Sequence, residues 1–399
     1  MSIVILNRVS KEEKNYADWL RDTTEEIYIF NHKESANTFN GERVNVKVFE
    51  NYTQNGLVDY EVIKLHEKDS IKALVALEEG EIIRAGYLRE YLNIEGQKYE
   101  SAVKFRDKHL MKLKLSQNGI NVPPFRMIKN KTDLIDFIKV EEYPVIIKPL
   151  DSWSSKGIEI IKNKAELKKC LLSNPLENHL VEKYINTPIY HVDGIIINNK
   201  YKFICSSAYI NTPLAYKEYK SFGSVLFERG NNLSERLIEF VKHALSKMPL
   251  AKDMSFHVEV FHDERNNEFL ICEMGSRTIG AGTDKIIKHS FNIDLDKILT
   301  QAVCGVDLDL EIKERNVSGQ LFIRPKKGFL KHIPKKLPFE WCFDYEIKGY
   351  IGKYYDGSLM KSTEAYADIY FEGENQEELL SRVKILEQFM IDNTVWSCE

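Results

Sequence analysis

Glu259 and Glu273 lie in two apolar runs, Phe256-His257-Val258-Glu259-Val260-Phe261 and Phe269-Leu270-Ile271-Cys272-Glu273, separated by the turn-rich Asp263-Glu264-Arg265-Asn266-Asn267. The pattern reads as a hairpin of two half-buried strands. A turn centred on Asn266 sets Phe261 opposite Ile271 and Glu259 opposite Glu273, with directly opposed Cβ atoms about 4.5–5.5 Å apart on one face. Like charges so placed destabilise the pair unless a cation lies between them. Mg²⁺ favours a couple of carboxylates completed by substrate phosphates, so the pair points to a metal–nucleotide site. Register decides the matter, because a slip of one residue would send the two carboxylates to opposite faces.

Three further constellations carry charge where apolar residues would be expected. Tyr143-Pro144-Val145-Ile146-Ile147-Lys148-Pro149 is a buried-type strand ending in a lysine, followed by the small-residue loop Ser152-Trp153-Ser154-Ser155-Lys156-Gly157. A lysine there is costly unless an anion pairs with it, and such a loop can bring backbone N–H groups and Lys156 to phosphate oxygens. The same pattern also fits Lys148 snorkelling from a strand end beside a hairpin turn. Leu180-Val181-Glu182-Lys183-Tyr184-Ile185, then Pro188 and Tyr190-His191-Val192-Asp193-Gly194, could offer an adenine edge its backbone and Glu182, and a ribose His191; taken alone it fits an edge strand with exposed Glu and Lys. Finally, Met274-Gly275-Ser276-Arg277-Thr278-Ile279-Gly280-Ala281-Gly282 places an arginine suited to bidentate anion binding in a glycine-rich bend.

The elements that must position these residues follow from periodicity. Residues 1–100 alternate short apolar runs (Ile3 to Leu6, Ile27 to Phe30, Val44 to Phe49, Ala73 to Leu77) with helical stretches around Trp19 and Tyr87 to Leu92. This implies a Rossmann-like parallel sheet, without the G-x-G-x-x-G that would mark a dinucleotide site. A helix over 107–119, carrying Leu110 and Leu113, ends at Gly119 before Pro123-Pro124. Asn163 with Glu166, and Asn375 with Glu378, have the spacing of capping boxes. Leu237, Val241, Ala244 and Leu245 repeat at helical intervals.

Composition narrows the class. The 399 residues hold 56 basic and 60 acidic side chains, a formal charge of −4, with 43% hydrophobic residues. That charge gives no field to recruit nucleic acid, and Lys326 to Lys336 reads as a solvated loop. The six cysteines show no C-x-x-C, which argues against zinc and a disulfide framework and leaves them as buried small hydrophobes. With no apolar run of spanning length and no secretory leader pattern at Met1, a cytoplasmic protein without membrane contact is expected.

In order and spacing these segments resemble the ATP-grasp superfamily of carboxylate–amine ligases. The matching segments are Arg106-Asp107-Lys108 with the helix to Gly119, Lys148 with its loop, Glu182 to Ile185, Glu259, and Glu273-x-x-x-Arg277. The resemblance implies an α/β fold, α+β in its C-terminal part, organised as 1–100 (N-terminal α/β domain), 101–187 (central lid subdomain) and 188–399 (C-terminal subdomain with the metal site). It further implies ATP held by Lys108, Lys148, Ser154, Ser155, Lys156 and Gly157 at the phosphates. Glu182, Lys183, Tyr184 and Ile185 fall at the adenine and His191 at the ribose, with Mg²⁺ (Mn²⁺ an alternative) on Glu259 and Glu273. The catalytic residues implied are Arg277 and Lys148. Gly275 stands where the superfamily usually has Asn, a variant similar to the L-amino acid ligase branch, which makes dipeptides. On that comparison Glu79, Ser224, Arg277, Gly280 and Gly282 fall at the substrates, and the acids Glu78, Glu79 and Glu81 suit a basic first amino acid. The expected activity is ATP-dependent joining of two L-amino acids through an acyl phosphate. Other readings are acylation of a carrier thiol or another amine, and a non-catalytic ATP-binding regulator. Small-molecule amino acids are the expected partners, with a homodimer as the family's habit.

Overall fold

The computed structural model describes residues 1–152, 155–173, 176–308, 310–313, 316–357 and 364–397. At the N-terminus β1 (Ser2–Asn7), β2 (Glu26–His32), β3 (Val44–Phe49) and β4 (Ile71–Ala76) form a parallel sheet in the order β3-β2-β1-β4. β1 is buried along its whole length, as a central parallel strand covered on both faces should be. The helix expected around Trp19 is a single turn, Tyr16–Trp19, and a longer helix, Leu57–Lys68, packs Val58, Val62 and Leu65 inward.

β5 (Phe125–Ile128), β6 (Val145–Pro149), β7 (Glu159–Ile161) and β8 (His179–Lys183) make a second, antiparallel sheet ordered β5-β8-β6-β7. One of its covering helices, Lys164–Ser173, starts at the predicted capping box: Glu166 N–H donates to Asn163 Oδ1 at 3.1 Å and Lys162 N–H to Glu166 Oε2 at 2.7 Å.

The remaining strands are β9 (Ile189–Ile197), β10 (Lys200–Ile210), β11 (Phe222–Leu226), β12 (Met254–Asp263), β13 (Glu268–Gly275), β14 (Val317–Ile323), β15 (Gly328–His332), β16 (Cys342–Ile347), β17 (Tyr354–Tyr355), β18 (Ala367–Gly373) and β19 (Val395–Ser397). Eight of them build one antiparallel sheet, β13-β12-β9-β10-β11-β14-β18-β16, and β17-β15-β19 form a small fourth sheet. Lys331 therefore lies in a strand rather than in the expected loop, although its side chain is exposed. The helix Asn232–Leu245 buries Leu237, Val241, Ala244 and Leu245, and Gln376–Asp392 is capped by Asn375 as its spacing predicts. Cys170, Cys205, Cys272 and Cys304 are buried free thiols and Cys342 is half-buried; Cys398 lies outside the described residues. Among the described residues no helix is long and apolar enough to cross a membrane.

The β12–β13 hairpin departs instructively from its expected register. Glu259 does pair with Glu273, but Phe261 faces Leu270 rather than Ile271. The turn is one residue tighter than a centre at Asn266 implies. A bulge that leaves Cys272 without an opposite residue restores the alignment of the two carboxylates. Between this hairpin and β9, Phe256 is fully buried, meeting Tyr201 edge-on with centroids 6.0 Å apart. A Cβ at Gly194 would come within 2.5 Å of the Phe256 ring, so the glycine makes room for it. Phe256→Ala is expected to cost about 3–5 kcal/mol, read as a lower urea midpoint at unchanged slope; a loss below about 1 kcal/mol would contradict this packing.

Candidate functional site

A cavity of about 1150 Å³ opens where the three larger sheets meet, and Lys108, Lys148, Glu182, Glu259, Glu273 and Arg277 all line it. Residues far apart in sequence are thus gathered by topology: β6 and β8 carry Lys148 and Glu182, the β12–β13 hairpin carries the paired acids, and the bend after β13 carries Arg277.

The helix Lys108–Ser116 presents an unexpected face to the interior. Lys108, Met111, Lys112 and Leu115 are buried, whereas Leu113 is exposed. Lys108 Nζ donates to the Ser152 carbonyl at 2.7 Å and pairs with Glu273 Oε1 at 2.9 Å. Lys112, one turn later, is wholly enclosed, donating to the Cys272 carbonyl at 2.9 Å and facing Glu182 Oε1 at 3.4 Å. Lys148 Nζ holds the other oxygen, Glu182 Oε2, at 2.9 Å. Burial works against the charge of Lys148, but Cys272, Glu182 and Glu273 outweigh it and raise its pKa, so it stays an ammonium. Glu182 likewise stays ionised: burial opposes its charge, and Lys112 and Lys148 overcome that. Cys272, 3.9 Å from Lys148, is pushed up to about 12 by burial and remains a neutral thiol.

Of the residues expected at adenine and ribose, Glu182, Lys183, Tyr184 and Ile185 line the cavity, and His191 lies behind its wall. Glu182 is expected to accept from a base, yet both its oxygens face lysines. Lys183 turns its ammonium to the Glu141 and Glu142 carbonyls, and its N–H is taken by Pro124 O at 2.9 Å; Tyr184 N–H goes to Pro144 O at 3.3 Å. His191 and Ser224 are fully buried and bonded to one another, so neither reaches a ligand here. Tyr209, which lines the cavity, lies against His191 with ring centroids 4.6 Å apart and planes tilted by 39°.

Below that wall runs a polar chain that the sequence reading missed. Asp193 accepts from His191 Nδ1 at 2.5 Å and from His257 Nδ1 at 2.8 Å, and His257 Nε2 lies 3.8 Å from Glu259 Oε1. Tyr209 Oη donates to the same Glu259 oxygen at 2.8 Å. Burial disfavours charge on Asp193, but the two imidazoles hold its carboxyl well below the usual range. For His257 burial would lower the pKa, and Asp193 reverses this and raises it to about 9. Glu259, desolvated but bonded by His257 and Tyr209, is lowered to about 2.

These partners bear on whether the acidic pair suits a divalent cation. Among the described residues, the polar contacts of Glu259 and Glu273 go to their Oε1 atoms. Both carboxylates therefore retain an oxygen on the shared face beside Lys108 and Lys148, the hard-oxygen donor set Mg²⁺ takes alongside phosphates. The residues fit the group.

Arg277 Nε and Arg106 Nη1 clamp the two oxygens of Glu79, each at 2.5 Å. Glu79, expected at a substrate amine, lines the cavity and holds Arg277, and the two arginines keep its pKa down against burial. Its neighbours are paired too, Glu78 with Lys14 at 2.7 Å and Glu81 with Arg8 and Arg84. Beyond Arg277, Gly280 and Gly282 line the cavity where the helix Thr283–Phe291 begins. Gly282 has φ +81°, and a Cβ there would lie 2.5 Å from Tyr370 Oη and 2.6 Å from Gln320 Oε1. In the loop after β6, Ser155 and Gly157 adopt positive φ, Tyr216 Oη donates to the Ser155 carbonyl at 3.3 Å, and Lys156 is exposed. Ser154, with Trp153, lies outside the described residues.

The signal for Lys112 was its i, i+4 spacing from Lys108, which puts both on one helix face. His257 and Asp193 carried no local signal, since their meeting depends on β9 pairing with β12.

Comparison with known proteins agrees with this geometry. A family model described as an ATP-grasp domain matches residues 105–256. The L-arginine-specific L-amino acid ligase of Bacillus subtilis is 26% identical over 248 residues, 59% of this chain and 57% of that protein. The match thus spans little more than half of that relative. Among solved structures, an L-amino acid ligase from Bacillus licheniformis superposes with a TM-score of 0.75 at 15% identity, covering 100% of this chain and 99% of that one. The carboxyaminoimidazole ribonucleotide synthase of Aspergillus clavatus, solved with ATP, gives a TM-score of 0.71 at 12% identity over 98% and 99% of the two chains. Lys108, Lys148 and Glu182 fall within the segment that matches the ATP-grasp domain model, and Glu259, Glu273 and Arg277 follow it in the same cleft.

Proposed function

We propose that this chain is an ATP-dependent ligase that joins two L-amino acids, releasing ADP and phosphate. The observation that carries the reading is the convergence of Lys108, Lys148, the opposed Glu259 and Glu273, and a clamped Arg277 on one cavity. A protein that only binds nucleotide has no need of an oriented guanidinium beside the acidic pair. The similarity to an L-arginine-specific L-amino acid ligase supports amino acids as the substrates.

In the first step a substrate carboxylate attacks the γ-phosphate of ATP, giving an acyl phosphate and ADP. In the second an amine attacks the acyl carbon and phosphate leaves. Catalysis of such transfers is largely positioning and charge neutralisation. Lys148 and Lys108 meet the phosphate charge; binding draws them from Glu182 and Glu273, and Lys112 remains to balance Glu182. Mg²⁺, held by Glu259 and Glu273, would neutralise charge on the phosphate oxygens. Arg277, kept in place by Glu79, is the donor for the acyl phosphate and for the tetrahedral oxyanion that follows. The segment from Ser155 to Gly157, tied to Tyr216, covers the cleft and keeps water from the acyl phosphate.

The test is phosphate release by the purified chain with ATP, Mg²⁺ and pairwise pools of amino acids, with products read by mass spectrometry. Release that depends on particular amino acids and yields the matching dipeptide is expected. ADP formation that responds to no amino acid would contradict the proposal.

A further inference from the structure

The end of the cavity remote from the acidic pair holds two acceptors that nothing satisfies. Gln320 on β14 is 2% exposed and Asp368 on β18 is 7% exposed; both line the cavity, and among the described residues neither Gln320 Oε1 nor Asp368 Oδ1 has a hydrogen-bond partner. A buried acceptor left unpaired is uncommon and costs about 1–3 kcal/mol. The two lie together because β14 and β18 are neighbours with Gln320 opposite Tyr370 and Phe322 opposite Asp368, and Gln320, Phe322, Asp368 and Tyr370 all line the cavity.

What surrounds them selects the ligand. Gln320 spends its amide on Thr283 Oγ1 at 3.0 Å, so the carbonyl end alone faces the space. Lys348 bonds only Asp368 Oδ2 and is shared with Glu346 at 3.5 Å. Tyr370 brings a hydroxyl, and one face of its ring is taken by the Lys285 ammonium, 4.6 Å from the centroid, which is itself paired with Asp344 at 3.0 Å. Gly282 keeps the approach open, since any side chain there would strike Tyr370 and Gln320. Acceptors without donors call for a donor-rich ligand group, and the carboxylate favours a charged one.

We infer that the β14–β18 end of the cavity is a subsite for a positively charged nitrogen of the substrate, an ammonium or guanidinium received by Asp368 Oδ1 and Gln320 Oε1. The inference rests on the ligase reading for the identity of the substrate. It also moves recognition of a basic amino acid from Glu78, Glu79 and Glu81, all of which are paired within the protein, to the opposite wall. The nitrogen has two sources, a basic side chain or the α-ammonium.

Two comparisons separate these sources: phosphate release with arginine against citrulline, and with leucine against its 2-hydroxy acid. The full-length wild-type protein is expected to prefer the charged member of one pair at least tenfold in kcat/KM. Asp368→Asn should cut that preference at least tenfold, and Gln320→Leu should cut it less. Calorimetric titration of L-arginine into the wild type and Asp368→Asn, without ATP, reads the subsite apart from turnover. Arginine binding that Asp368→Asn abolishes, with no amino-acid-dependent phosphate release at all, would uphold the subsite and defeat the ligase reading. Dipeptide formation with no preference in either pair, or a preference that a folded Asp368→Asn leaves intact, would uphold the ligase and overturn the subsite. Should Asp368→Asn fail to fold, the wild-type preference and the Gln320→Leu variant decide by the same criteria.

Discussion

Glu273→Gln is expected to lower amino-acid-dependent phosphate release by about 10²–10³-fold, the usual cost of deleting one preorganised electrostatic group, while the melting temperature stays within a few degrees. The fold should survive because Glu273 is half-buried at the cavity edge, with Lys108 as its one ion-pair partner among the described residues and Ser152 O as a second acceptor for that lysine. Loss of activity follows because the glutamine keeps the shape but removes the charge that, with Glu259, is proposed to hold Mg²⁺. Raising Mg²⁺ should recover part of the activity by mass action. Turnover close to wild type would show that the opposed pair in the hairpin is not the metal site.

Lys148→Met is expected to abolish nucleotide-dependent turnover and also to destabilise the protein, because Lys148 acts on two partners. It neutralises Glu182 at 2.9 Å, and removing one member of a buried ion pair typically costs about 3–5 kcal/mol. Lys112 still faces Glu182, at 3.4 Å, so the loss should fall toward the lower end. The double variant Lys148→Met/Glu182→Gln removes the orphaned charge and should regain much of the lost stability without regaining ADP binding. Thermal unfolding and titration with ADP separate the two effects. If the double variant binds ADP like the wild type, Lys148 has no part in holding phosphate.

The acidic hairpin was legible because carboxylates inside apolar strands violate burial preference and so mark a function. The register argument reached the right pair through a wrong turn: the loop is one residue tighter than assumed and the bulge at Cys272 compensates. Strand Lys148 and hinge Glu182 were legible for the same reason, each being a charge where the local period calls for an apolar residue, and Arg277 stood out as an arginine in a glycine-rich bend. Lys112 was not, because a helix is ordinarily read as burying its leucines, and here Leu113 is exposed while two lysines point inward. The roles of His191, Ser224 and Glu79 could not be read locally. Their partners come from other strands and another sheet: Asp193 and His257 through the β9–β12 pairing, and Arg277 from nearly two hundred residues beyond Glu79. Gln320 and Asp368 meet only because β18 returns beside β14 after the excursion through β15, β16 and β17. Local chemistry was visible, and long-range pairing was not.

The central claim is that a substrate carboxylate takes the γ-phosphate of ATP before an amine displaces it. Supplying the first amino acid with both carboxylate oxygens as ¹⁸O, and weighing the phosphate and dipeptide formed, tests this most directly. Attack through an acyl phosphate transfers one labelled oxygen to each phosphate and leaves one in the new amide. Phosphate carrying no label, or the release of pyrophosphate and AMP in its place, would contradict it.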